Sequence, residues 1–187
     1  PGWHTYWKST ATGYATSIKW DLPPGFTVSG LSWPAPELYD FQGYREYVYS
    51  GQVLLMATLT PPAEIDAESV TIDFTADWLM CADVCIPGKA DGELVLPVRK
   101  ATPEPASPWA ALFEQFQNRL PEQPEGRQLQ AWYEPGKEAV LLEVEGPLPG
   151  NIHFFDDQAL FKANSQSEVI PGEAGCRRLR HRATSGR

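Results

Sequence analysis

The sequence predicts an all-β protein: an immunoglobulin-like β-sandwich, then a linker helix and the start of a second, truncated β-domain. Three observations predict it. About seven short runs with strand-like patterning occupy residues 1–100, separated by turn signals. The 18 Pro and 15 Gly punctuate the chain too often for long helices. Seven Trp and seven Tyr suit the half-buried surface of a sheet.

Residues 3–7 (Trp-His-Thr-Tyr-Trp) alternate large side chains with small or polar ones, the period of a half-buried strand. Residues 9–13 read as loop. Residues 16–21 form a short strand with Ile18 and Trp20 on one face, and Leu22-Pro23-Pro24-Gly25 a turn. Residues 26–33 read as another strand, which Pro34 and Pro36 stop. The stretch 39–49 holds five aromatics in eleven residues. Tyr47 and Tyr49 fit one face of a strand there, while Phe41 and Tyr44 flank Gly43 as loop. Residues 53–60 are almost wholly apolar, as an inner strand is, until Pro61-Pro62. Val70, Ile72, Phe74, Ala76 and Trp78 then alternate with Thr71, Asp73, Thr75 and Asp77. A last strand, 92–98, puts Leu94, Leu96 and Val98 on one face.

Beyond this domain, 1–100, a Pro-rich linker with a helix is expected over 101–126. Ser107 and Pro108 suit the N-cap and first turn of the helix, and Pro121 ends it. Its apolar face is Trp109, Leu112, Phe113 and Phe116. Residues 129–133, 139–145 and 152–155 are strand candidates of a partial second β-domain over 127–175, and 176–187 reads as a basic disordered tail. The chain opens without Met on a turn entering a strand, so it is expected to be an excerpt from a longer protein.

The net charge is −9, unevenly spread. Residues 176–187 hold five Arg and no acid, leaving residues 1–175 with 24 acids against 10 bases, a net −14. An acidic body lacks the basic footprint that nucleic-acid binding needs. No apolar run reaches the roughly 18 residues of a membrane span, and no signal peptide is recognisable.

The chemistry concentrates in Asp77-Trp78-Leu79-Met80-Cys81-Ala82-Asp83-Val84-Cys85-Ile86-Pro87-Gly88, with a strand leading in and a Pro-Gly turn leading out. In a straight strand, residues four apart are separated by roughly 13 Å. A disulfide needs Cα atoms about 4.4–6.8 Å apart. Cys81 and Cys85 can therefore pair only if the three residues between them turn the chain back. Thiol–disulfide exchange is the leading reading. A permanent staple is a rival, although so short a loop stabilises by only about 2 kcal/mol. Two buried thiols and a Cu(I) site on two thiolates also remain open. Zinc would need four ligands. His4 is far in sequence, and His153 and His181 lie beyond the linker, so no resident metal or other cofactor is expected.

Asp77 lies just before the cysteines and Asp83 between them, and both should disfavour a thiolate, which suits the pair to being attacked by a partner's thiolate. Trp78 is a third candidate modulator. The aromatic loop around Asp40, Phe41 and Tyr44 reads as ordinary packing or as a lid over the disulfide. Asp156-Asp157 reads as a turn and Cys176 as incidental. No G-x-S-x-G, phosphate-binding loop or H-E-x-x-H motif occurs.

An ordered series of motifs then carries a resemblance: residues 1–7 (Pro-Gly-Trp-His-Thr-Tyr-Trp), 20–23 (Trp-Asp-Leu-Pro), 33–36 (Trp-Pro-Ala-Pro), 51–53 (Gly-Gln-Val), 60–62 (Thr-Pro-Pro) and 78–87 (Trp-Leu-Met-Cys-Ala-Asp-Val-Cys-Ile-Pro). In that order they resemble the N-terminal domain of the thiol:disulfide interchange protein DsbD family, closest to the branch that includes the suppressor of copper sensitivity protein B. The resemblance covers residues 1 to 100 well, continues loosely to 155, and stops before the Arg-rich end. It implies a periplasmic immunoglobulin-like domain of a membrane-anchored protein-disulfide reductase. Electrons would come from a membrane-embedded domain of the same parent protein and pass to thioredoxin-like proteins, disulfide isomerases and cytochrome c maturation factors. It further implies that Cys81 and Cys85 are the redox pair, that Cys85 carries the mixed disulfide, and that Asp40-Phe41 falls in an aromatic cap loop. The enterobacterial form has five residues between its cysteines where this chain has three, so its cap geometry does not carry over. The copper link of the branch keeps the Cu(I) reading alive.

Overall fold

The computed structural model describes residues 2–10, 12–41, 44–99, 107–122, 129–134, 136, 139–145, 154–155, 168–171 and 176–182. Asp156-Asp157, Ile152-His153, linker residues 101–106 and the final residues 183–187 lie outside these. The chain divides into two compact units. The first comprises Pro1–Lys8, Gly13–Glu37 and Val48–Pro121; the second comprises Ser9–Thr12, Leu38–Tyr47 and Glu122–Arg187.

In chain order the strands are β1 (His4–Tyr6), β2 (Ser17–Asp21), β3 (Thr27–Val28), β4 (Glu37–Phe41), β5 (Tyr44–Ser50), β6 (Leu59–Thr60), β7 (Ser69–Cys81) and β8 (Cys85–Pro97). Helix α1 (Ala110–Gln117) follows, then β9 (Leu129–Glu134), β10 (Ala139–Glu145), β11 (Glu168–Pro171) and β12 (Cys176–Arg182). The larger sheet runs β2-β7-β1-β5-β4 with β8 also on β7, and β3 pairs β6 in a small second sheet. Together they make the expected immunoglobulin-like β-sandwich.

β7 organises the first unit. One edge pairs with β8 along its whole length. The other pairs with β2 at Asp73–Asp77 and with β1 at Met80 and Cys81. Its alternation is that of a two-faced strand: Val70 and Ile72 are buried, whereas Ser69, Thr71 and Asp73 are exposed.

Three expectations change. β8 begins at Cys85 rather than Gly92 and runs straight through Pro87-Gly88, which were expected to turn. Proline is tolerated on an edge strand because only an outward N–H is lost. The apolar run 53–60 forms no long inner strand. Only Leu59–Thr60 pairs with β3, and Met56 bridges Ser32. Between them the Ser29 hydroxyl accepts the Thr58 N–H at 2.9 Å, so a side chain replaces a backbone ladder bond. In α1, Phe116 is buried, but Phe113 and Trp109 are exposed. Ser107 is not the N-cap: α1 starts at Ala110 with Trp109 at the cap position and no side-chain cap bond, and the Ser107 Oγ instead accepts the Trp109 N–H at 3.2 Å in the preceding turn.

Tyr49 anchors the segment after Trp33. Its hydroxyl donates to the Pro34 carbonyl at 2.6 Å, and its ring stacks on Trp33 at 6.5 Å. Burial raises the phenol above its ordinary pKa, opposed by the positive charge of Arg119, so it remains a donor. Tyr49→Phe leaves that carbonyl without its partner and is expected to cost about 1–3 kcal/mol. The check is a lower urea midpoint with an unchanged slope.

In the second unit, β9 to β12 form a sheet in the order β11-β12-β10-β9. The end read as a disordered tail is thus, over Cys176–Arg182, a central strand paired with β10 and β11. Two of its arginines meet acids supplied by other strands. Arg178 pairs with Glu143, and Arg180 with Glu134 at 2.9 Å and Glu168 at 3.4 Å. Leu179, between them, is buried and sits opposite buried Leu142. A local window shows the arginines but not the acids that Arg178 and Arg180 meet.

Candidate functional site: the tip of the β7–β8 hairpin

β7 and β8 form an antiparallel hairpin of thirteen residue pairs, from Ser69↔Pro97 to Cys81↔Cys85. The loop Ala82-Asp83-Val84 closes on itself, the Ala82 N–H donating to the Val84 carbonyl at 3.0 Å. That turn brings the cysteines to a Cα separation of 4.1 Å, joined by a disulfide. The chain-reversal required by the spacing is therefore present, in the form of a direct cross-strand pair.

The two sulfur-bearing residues differ in environment. Cys81 is 2% exposed, because β1 covers the far edge of β7 at that level. Cys85 opens the edge strand and is exposed. Val84 and Ile86 beside it are exposed as well, so the reachable end of the disulfide lies in an apolar setting.

Below the tip, Trp78 pairs with Gly88 and its indole lies over that glycine. A Cβ at Gly88 would meet the ring at 2.2 Å. The Tyr14 hydroxyl donates to the Trp78 carbonyl at 3.3 Å. Gly88→Ala must therefore displace the indole and is expected to destabilise by about 1–3 kcal/mol. Tryptophan fluorescence of the native state should shift with it; an unchanged spectrum and midpoint would show that the ring has room to move. Asp77 lies four residues down β7 from Cys81, opposite Lys89, with a charge separation of 3.9 Å. Asp83 is exposed in the loop.

Asp40, Phe41 and Tyr44 belong to strands of the second unit. Phe41 ends β4 and Tyr44 begins β5, where loop was expected; closely spaced aromatics favour paired strand. Arg45 holds the Asp40 carboxylate at 3.0 and 3.2 Å. One neighbour of the pair escaped the sequence reading. His4 is distant from the cysteines along the chain, yet β1 places it directly opposite Cys81. Its only signal was its place in the alternating run Trp3 to Trp7.

A cross-strand disulfide with one buried and one exposed cysteine, at the tip of an immunoglobulin-like hairpin, is an arrangement suited to a thiol–disulfide exchange domain, and the family match bears that class out. Residues 1–97 match the family described as thiol:disulfide interchange protein DsbD, N-terminal, and the chain belongs to that family. Among solved structures, the fold is similar to that of the N-terminal periplasmic domain of ScsB from Proteus mirabilis. The TM-score is 0.65 at 20% identity, over 98% of this chain and 70% of that one. No curated protein matches the chain.

Proposed function

We propose that this domain is the electron relay of a periplasmic protein-disulfide reductase, working through Cys81 and Cys85. The observation that supports it best is the asymmetry of the pair: Cys81 is buried and Cys85 exposed. A donor thiolate attacks the Cys85 sulfur, and the bond's electron pair leaves on Cys81. A second donor thiol then displaces Cys85. The donor departs as a disulfide, and the domain keeps two electrons and two protons as a dithiol. In delivery, Cys85 attacks an oxidised partner's disulfide, and Cys81 resolves the adduct by re-forming the original bond.

The donor is a membrane-embedded domain of the same parent protein, and the acceptors are periplasmic thioredoxin-like proteins or disulfide isomerases. Twelve further cross-strand pairs hold the hairpin when the disulfide opens. The bond itself stabilises by only about 2 kcal/mol, so reduction leaves the fold intact. Trp78, Asp77 and Asp83 tune the pair.

Equilibrating the native chain in glutathione buffers of graded ratio, with mass-spectrometric counting of alkylated Cys81 and Cys85, tests this reading. A reversible titration is expected; a pair that stays oxidised throughout in the native fold overturns it. Titrating the reduced chain with Cu(I) tests the copper reading, which predicts tight binding that is lost in Cys85→Ser.

A further inference from the structure

The strand register aligns four residues in one row across the sheet. Cys85 pairs with Cys81, Cys81 with His4, and His4 with Ser50. Directly opposed residues of antiparallel strands point to the same face, with Cβ atoms about 4.5–5.5 Å apart. His4 is thus a lateral neighbour of the buried sulfur. It is 6% exposed and Cys81 2%, so the two share a setting with little water. The Tyr6 ring meets the imidazole edge-on at 5.5 Å, and the Tyr6 ring itself lies against Gly13, where an added Cβ would sit 2.5 Å from it. The histidine ring is therefore braced.

The exchange reading above creates a need at this spot. When the disulfide opens, a negative charge appears on a sulfur buried in low dielectric, which is costly unless it is paired or neutralised. Among the described residues on the face that His4 shares, β1 contributes Tyr6, β5 contributes Ser50, Val48 and the buried Glu46, whose carboxylate accepts from the Thr12 hydroxyl at 2.6 Å, and β7 contributes Cys81, Leu79 and Asp77. Asp77 already faces Lys89. Of these groups and His4, only the imidazole can supply a proton near neutral pH.

We infer that His4 is the general acid–base of the redox pair, passing a proton to and from the Cys81 sulfur as the disulfide opens and closes. The inference rests on the exchange reading. In opening, a partner thiolate bonds to the Cys85 sulfur, the Cys81–Cys85 bond breaks, and the imidazolium protonates the departing Cys81 thiolate. In closing, the neutral imidazole takes that proton back. The Cys81 thiolate attacks the Cys85 sulfur and expels the partner's thiolate. Over one opening and one closing the proton returns to His4.

The test uses the full chain with Cys176→Ser, reduced and mixed by stopped flow with dithiobis(nitrobenzoate), whose first reaction puts thionitrobenzoate on Cys85 as a mixed disulfide. Attack by Cys81 then releases the second coloured thiol, and its rate is followed from about pH 5 to pH 8, the range in which an imidazole titrates. The chain with His4 should show an inflection in that range. His4→Gln should lose it and react about 10²-fold more slowly near neutrality, the usual scale for a lost general acid–base group. A natively folded His4→Gln chain with the same pH profile as its parent overturns the inference. Independently of any variant, the NMR titration of the His4 ring should differ between the disulfide and dithiol forms, because coupled groups shift each other. Identical curves overturn it as well. No second release at any pH in either chain overturns the exchange reading, and this inference with it.

Discussion

Cys81→Ser is expected to accumulate a long-lived mixed disulfide at Cys85, and Cys85→Ser to form almost none. Oxidised glutathione serves as probe, in a Cys176→Ser background so that a single thiol remains. Cys85 is exposed at the start of an edge strand, so its sulfur can reach the linear geometry that exchange requires. Cys81 is 2% exposed beneath the hairpin tip, with β1 along its other side. In the chain with both cysteines, any adduct at Cys85 is resolved by a thiol held next to it, and effective concentrations in such arrangements reach about 10⁵–10⁸ M. Removing Cys81 therefore lengthens the adduct's life by at least about 10³-fold. Non-reducing mass spectrometry over time reads both quantities. Faster adduct formation by Cys85→Ser than by Cys81→Ser would reverse the assignment of the two sulfurs.

Phe116→Ala should be the most damaging single truncation in α1, at about 3–5 kcal/mol. Phe116 is 1% exposed, among the most completely buried side chains of the described residues. The Arg119 guanidinium lies 5.0 Å from its ring centre, and the Arg119 carbonyl accepts the Ala35 N–H at 3.3 Å. Losing the ring leaves a cavity under the end of the helix and removes the platform on which Arg119 rests. Phe113→Ala and Trp109→Ala remove rings that are 48% and 62% exposed, and each should cost well under 1 kcal/mol. Urea unfolding followed by tryptophan fluorescence separates these cases. Equal losses for Phe116→Ala and Phe113→Ala would show that the helix is not seated by Phe116.

The contrast within α1 illustrates how far patterning carries. Helical spacing put Trp109, Leu112, Phe113 and Phe116 on one face, and a helix is there, but spacing does not say how much of that face the first unit covers. The strands behaved similarly. Alternation located β1, β2 and the start of β7, where one face is more covered than the other. It misplaced the start of β8, because an edge strand with little burial has no such alternation and because Pro87-Gly88 carries a turn signature. It also overrated residues 53–60, where a serine side chain takes over a backbone pairing.

By itself the sequence determined the all-β class, the cysteine pair and the need for a tight reversal between its members. Those features are local: side-chain period, residue spacing and bond length decide them. Only the tertiary structure decided which cysteine is covered, that the arginines of β12 belong to a sheet, and that His4 lies beside Cys81. Each depends on register between strands far apart in the chain. A one-residue slip of β1 would turn its side chains to the opposite face, and no local pattern in either strand contains that choice.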